Sequence, residues 1–250
     1  MDQMMFQIIR KVTVSSIRFM RSLYHEMRTL RDFFTLPYTG GATTQIRFVV
    51  LAQSRSGTHL LLDLLNAHPD IYCDKGVFKN HLLKLISYQR YLHNRSCNSG
   101  VLCYGFVMHP TRIAKLNDIE SDKFLYRLHD EGWKLIYLKR HNILRQAVSW
   151  EIAKSTQVWH MTKGERKQTK CFVNCEDLIR RMRRRELDLE PDKLYLQGLP
   201  FIELVYERDL LHQDQHQTTL NRLFAYLGLP AHRVDSKLKR TGRDLLQYSI

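Results

Sequence analysis

The chain has 250 residues, 44% hydrophobic and 26% charged, the composition of a globular protein with one sizeable core; a disordered tail or a fibre is excluded. Lys and Arg outnumber Asp and Glu by 39 to 25, a formal net charge of +14, so an anionic partner is expected: nucleic acid, a phospholipid surface, or a phosphorylated or sulfated ligand. The five cysteines are odd in number and form no C-x-x-C knuckle, which points to a reducing, cytoplasmic setting and to no structural zinc. Cys171 and Cys175 with His160 read as isolated side chains rather than a metal cluster.

In chain order, residues 1–34 read as a basic amphipathic helix. Met5, Ile8, Ile9, Val12, Ile17, Met20 and Leu23 alternate there with Arg10, Lys11, Arg18, Arg21, Arg28 and Arg31. Its apolar runs fall short of the ~20 residues a membrane span needs, so it is expected to cover a face of the domain or a partner, or to lie peripherally on an anionic membrane. Residues 35–46 carry Pro37, Gly40 and Gly41, the punctuation of a linker, and the domain proper is expected over 47–250.

The pattern then predicts a strand at 47–52, a helix at 58–67, a turn at His68-Pro69 and a short strand near 70–73. A helix at 79–92, a strand at 101–107, a helix at 120–130, a strand at 134–138 and a helix at 143–156 follow. Helices at 175–189 and 214–227 flank a strand at 201–205. Near-continuous apolar runs ("RFVVLA", "KLIYL", "FIELVY") alternating with helices predict an α/β fold of three layers around a central, mostly parallel sheet.

Ligands of such sheets bind outside the carboxyl ends of the strands, which singles out the loop Gln53-Ser54-Arg55-Ser56-Gly57-Thr58. Gly57 permits a tight bend, the helix behind it offers unsatisfied amides, Ser56 and Thr58 add hydroxyls, and Arg55 supplies a guanidinium suited to phosphate or sulfate. The loop is P-loop-like in form but lacks the lysine and second glycine of G-x-x-x-x-G-K-[ST]. The plainer alternative is a helix capped by Ser56 or Thr58 with Arg55 as a surface charge.

"SRSGTHLLLDLLNAHPDI" resembles the 5′-phosphosulfate loop of sulfotransferases that use 3′-phosphoadenosine 5′-phosphosulfate (PAPS), in particular the bacterial carbohydrate branch related to nodulation and trehalose sulfotransferases. "LIYLKRHNILRQAVSWEIAKSTQVWH" is similar to that family's 3′-phosphate segment, and "VYERDL" resembles a weaker third motif. The resemblance covers residues 47 to about 210. It implies PAPS as co-substrate without a metal, held by Arg55, Ser56, Gly57, Thr58 and His59 at one end and by Arg140 and Ser149 at the other. The arginine-to-serine spacing is one residue longer than in many relatives, which makes His141 the alternative to Arg140. Lys239 and Arg240 in the basic tail are expected over the 3′-phosphate.

On this reading sulfuryl transfer goes to a hydroxyl of a carbohydrate or glycolipid, with Arg55 at the leaving group and Trp159 and His160 beside the acceptor. For the general base, Asp74 stands near the position of a family glutamate that this chain lacks, and His59 and His109 are its rivals. Two other functions stay open: a basic nucleic-acid-binding module, suggested by the net charge and the run Arg180 to Glu186, and a divergent phosphate-loop nucleotide-binding protein without sulfotransfer. No nucleic acid is expected on the first reading. The oligomeric state is not legible.

Overall fold

A computed structural model describes residues 44–75, 77, 88–110, 123–157, 161–162, 173–234 and 238–239, together with Met20, Leu23, Tyr24, Met27, Leu30, Arg31 and Phe34. Its elements are β1 (Ile46–Ala52), α1 (Thr58–Leu65), β2 (Ile71–Lys75), α2 (Tyr88–Cys97), β3 (Cys103–Met108), α3 (Phe124–Asp130), β4 (Trp133–Lys139), α4 (Ile143–Thr156), β5 (Met161–Thr162), α5 (Cys175–Leu196), β6 (Phe201–Val205), α6 (His216–Leu227) and β7 (Leu238–Lys239). One π-helical turn, Tyr206–Leu210, follows β6.

Five strands form one sheet in the order β2-β3-β1-β4-β6, and every pairing is parallel. Buried on both faces, they need apolar side chains throughout, which is why "FVVL" carries no polar alternation. Phe48, Val50 and Ala52 pack with Leu61, Leu64 and Leu65 of α1 and with Leu220, Leu223 and Phe224 of α6. Val49 and Leu51, pointing the other way, pack with Tyr91 and Leu92 of α2, Phe124 and Leu128 of α3, and Leu196 of α5. The result is the expected three-layer α/β fold.

Strand order places the site. The chain leaves β1 towards β2 on one side and leaves β4 towards β6 on the other, so a crevice opens between the carboxyl ends of β1 and β4. Leu51 is level with Tyr137, and Ala52 with Leu138, so the loops after the two strands face each other across it.

The principal departure from the sequence reading is α5, expected to stop at 189. It runs through Pro191 to Leu196. A helix-interior proline ordinarily costs ~3 kcal/mol through its missing N–H, and here the turn around it is tied back to the sheet by Asp192. The antiparallel pair β5–β7 was not expected. The linker residues 35–43, residues 79–87 of the expected second helix and residues 120–122 of the third lie outside the described residues.

Candidate anion-binding site

The loop after β1 contains two residues in left-handed conformation, Arg55 at φ 64° and Gly57 at φ 96°. Gly57 is also the N-cap of α1, and no side chain caps the helix. The Ser56 hydroxyl instead donates inward to the Gln53 carbonyl at 2.7 Å and lies 3.3 Å from Thr58 Oγ1. The capping alternative is therefore not what the chain adopts: Ser56 is buried and closes the turn, and no side chain caps the start of α1. "NAHPDI", after the helix, is structural. Asn66 accepts from the Cys73 amide at 2.6 Å and donates to its carbonyl at 3.0 Å, pinning β2 behind α1.

The segment after β4 closes on this loop. Arg140, its side chain 9% exposed, donates to the Arg55 carbonyl at 3.0 Å. Ser149, two turns into α4, accepts from Arg55 Nε at 3.0 Å and Nη2 at 2.8 Å. Gln146 donates to the Ser54 carbonyl at 2.8 Å. Arg55 and Ser149, assigned by resemblance to opposite ends of a nucleotide, are thus in direct contact. A serine hydroxyl accepting from an arginine still carries its own hydrogen, so Ser149 remains able to donate to an anion. Between Arg140 and His141 the geometry separates roles: Arg140 turns inward, whereas His141 is exposed and its amide donates to Glu207.

The weak third motif proves to be the buttress. Tyr206 packs so closely on Gly57 that a Cβ there would lie 2.4 Å from its ring. The Arg140 guanidinium covers the same ring at 4.6 Å. Glu207 accepts from the amides of His141 and Asn142 at 3.0 and 3.1 Å and pairs with Arg140 Nε at 3.5 Å. Burial alone would raise the pKa of Glu207, but these donors hold it below the ordinary carboxylate value. Asp209 fixes the π-turn through the Val205 amide at 2.6 Å and Arg222 at 3.0 Å.

A buried polar network from α5 grips the root of the loop. Gln53 accepts from Arg185 at 2.7 Å and donates to Asp192 at 2.9 Å, Arg185 also reaches the Ser54 carbonyl at 2.7 Å, and Tyr137 donates to Asp192 at 3.2 Å. Asp192 is fully buried and its Oδ1 has no partner. Desolvation lifts its pKa to about 6, against the bonds from Gln53 and Tyr137. The sequence run Arg180 to Glu186 hid this division of labour. Arg185 faces inward and Arg181 binds Glu151 and covers the Trp150 ring, while Arg180 and Arg184 are in solvent. The signal that could have found Arg185 is its helical register with Asp188 and Asp192 on a helix otherwise polar.

Desolvation, and then the charge of Arg140, push the Arg55 pKa below its ordinary value. Two guanidiniums crowded at an uncapped helix start, at the crevice of a parallel sheet, are a setting that a bound phosphate or sulfate would relieve. The residues therefore fit the anionic end of PAPS.

The candidate bases separate by position. Asp74 is buried in an ion pair with Arg95 of α2, at the far edge strand β2 and two strands from β1. A carboxylate committed to a buried guanidinium is held as an ion-pair partner, which favours that role for Asp74 over the expected base. His109 directly follows Met108, which is level with Leu51, so it stands at the carboxyl edge next to the loop. His59 lies in the first turn of α1 and is exposed. Lys239 falls in β7, paired with Met161; Trp159, His160 and Arg240 lie outside the described residues. Among the described residues, no three His, Cys, Asp or Glu side chains converge as a metal site, and no helix is long and apolar enough to cross a membrane.

No family model and no curated protein matches the sequence. Among solved structures, the fold is similar to that of a sulfotransferase from Alicyclobacillus acidocaldarius, with a TM-score of 0.50 and 15% identity over 81% of this chain and 88% of that one. The chain therefore has the fold of a bacterial sulfotransferase.

Proposed function

We propose that the protein is a sulfotransferase that takes a sulfuryl group from PAPS and delivers it to a hydroxyl of a carbohydrate or glycolipid. The observation that carries this reading is the convergence of Arg55, Arg140 and Ser149 on the uncapped start of α1. The fold it shares with a bacterial sulfotransferase supports it. PAPS supplies the transferable sulfuryl group and a phosphate leaving group.

The chain's own residues bind and orient. Arg55 and the first amides of α1 hold the negative charge that grows on the departing phosphate oxygen, the main contribution in transfers of this kind. Arg140 and the Tyr206 ring fix the loop in that geometry before anything binds. Ser149 presents its hydroxyl hydrogen to the nucleotide side. His109, beside the loop, takes the acceptor proton, while His59 lies at the open side of the helix start.

The test is transfer of labelled sulfate from PAPS to a panel of sugars and glycolipids. Activity in the parent is expected, with kcat lowered ~10²- to 10⁴-fold in His109→Ala and little altered in His59→Ala. Donor binding without transfer to any acceptor would instead support a nucleotide-binding protein. The nucleic-acid reading is weakened by α5, whose arginine run is divided between buried and solvent-facing positions.

A further inference from the structure

We propose that the N-terminal helical segment docks the protein on an anionic phospholipid surface, lying in the plane of the bilayer; this goes beyond sulfotransfer and does not depend on it. Met20, Leu23, Tyr24, Met27, Leu30, Arg31 and Phe34 are helical. The apolar ones are not covered by the domain: Met20 is 62% exposed, Leu23 40%, Met27 64% and Leu30 37%. Their spacing of three, four and three residues places them on one side of a helix, a stripe rather than scattered surface residues. Tyr24 and Phe34, also exposed, add aromatic rings of the kind that settle at the level of lipid headgroups.

Charge selects the occupant. Residues 1–34 hold the basic residues Arg10, Lys11, Arg18, Arg21, Arg28 and Arg31 against the acidic Asp2, Glu26 and Asp32. Among the described residues Arg31, four after Met27, is helical and exposed, so a cation stands beside the stripe. An apolar stripe in a net-basic segment suits a surface that is oily within and negative at its rim. A second copy of the chain is the competing occupant, since the same spacing makes a coiled-coil seam, but pairing two copies would bring two net-basic segments together. The apolar stripe and the basic composition of the segment together give the two signals that a stable peripheral attachment needs.

The experiment is co-sedimentation of the full chain with phosphatidylcholine vesicles, with and without about 30 mol% phosphatidylglycerol. Expected is binding to the anionic vesicles that weakens as salt shortens the screening length. Met20→Gln combined with Met27→Gln, which keeps every charge, is expected to lower the partition about tenfold or more. Arg21→Gln with Arg28→Gln should lower it about 25-fold, at about fivefold per arginine. Melting temperature and affinity for 3′-phosphoadenosine 5′-phosphate, measured on the same variants, should stay at parental values. Three results overturn the proposal: equal binding to neutral and anionic vesicles, undiminished binding of the methionine variant, which would move the contact to basic surface elsewhere, or a parental dimer that the methionine variant dissociates.

Discussion

Arg55 holds a left-handed backbone conformation that few non-glycine residues adopt, at the one point where its guanidinium reaches Ser149 and its carbonyl meets Arg140. Strain of that kind persists where the surroundings enforce it, and here Ser149 holds the guanidinium while Arg140 holds the carbonyl. Arg55→Ala should therefore weaken binding of an anionic nucleotide by about 10- to 100-fold, the worth of a hydrogen bond to a charged group, with the melting temperature little changed. Asp192 makes a different prediction. Its pKa rises from an ordinary 3.8 to about 6 on folding, so its contribution to stability is fully present below 3.8 and lost as pH rises through 6. Ionised at neutral pH, it costs about 3 kcal/mol. Asp192→Asn should gain on the parent by roughly that amount between pH 4 and pH 7.5 in urea unfolding; parallel profiles would show that Asp192 does not change its ionisation on folding.

Among the elements, the loop after β1 is closed by Ser56 on Gln53 and held from outside by three neighbours: α4, α5 and the π-turn after β6. Gly57 is the most exacting position. Its φ of 96° disfavours any side chain, and Tyr206 fills the place of a Cβ. Gly57→Ala should destabilise the protein by about 1–3 kcal/mol and weaken nucleotide binding at once, since Tyr206 must move and it also carries Arg140. Tyr206→Leu should weaken binding with a smaller loss of stability. The two effects are read by chemical denaturation and titration of the same samples. The strands and α1 were legible in the sequence because each is a continuous apolar run ended by a bend. The length of α5 was not. Proline at 191 mimics a terminus, and only the contact of Asp192 with Gln53 and Tyr137, far away in sequence, shows why the helix continues.

At the scale of the whole molecule, local motifs singled out candidate residues, and tertiary contacts show which of them meet. The glycine bend and Arg55 could be picked as candidates because a strand end followed by a helix start is a local signal, while Arg140 and Ser149 came with the family resemblance. That Ser149 meets Arg55, that "VYERDL" supports Gly57, and that Asp74 belongs to Arg95 depend on residues 21 to about 150 positions apart, beyond any periodicity. The net charge of +14 likewise raises the expectation of an anionic partner without assigning it a place. Among the described residues Arg180 and Arg184 lie in solvent, while Arg55, Arg140 and Arg185 are drawn to the loop.

The central claim is that the loop between β1 and α1 grips the phosphate end of a sulfated nucleotide. The most direct measurement is calorimetric titration of the protein with 3′-phosphoadenosine 5′-phosphate, which needs no acceptor. The account predicts saturable one-to-one binding that falls about 10- to 100-fold in Arg55→Ala. No binding by the parent, or equal affinity in parent and variant, would contradict it.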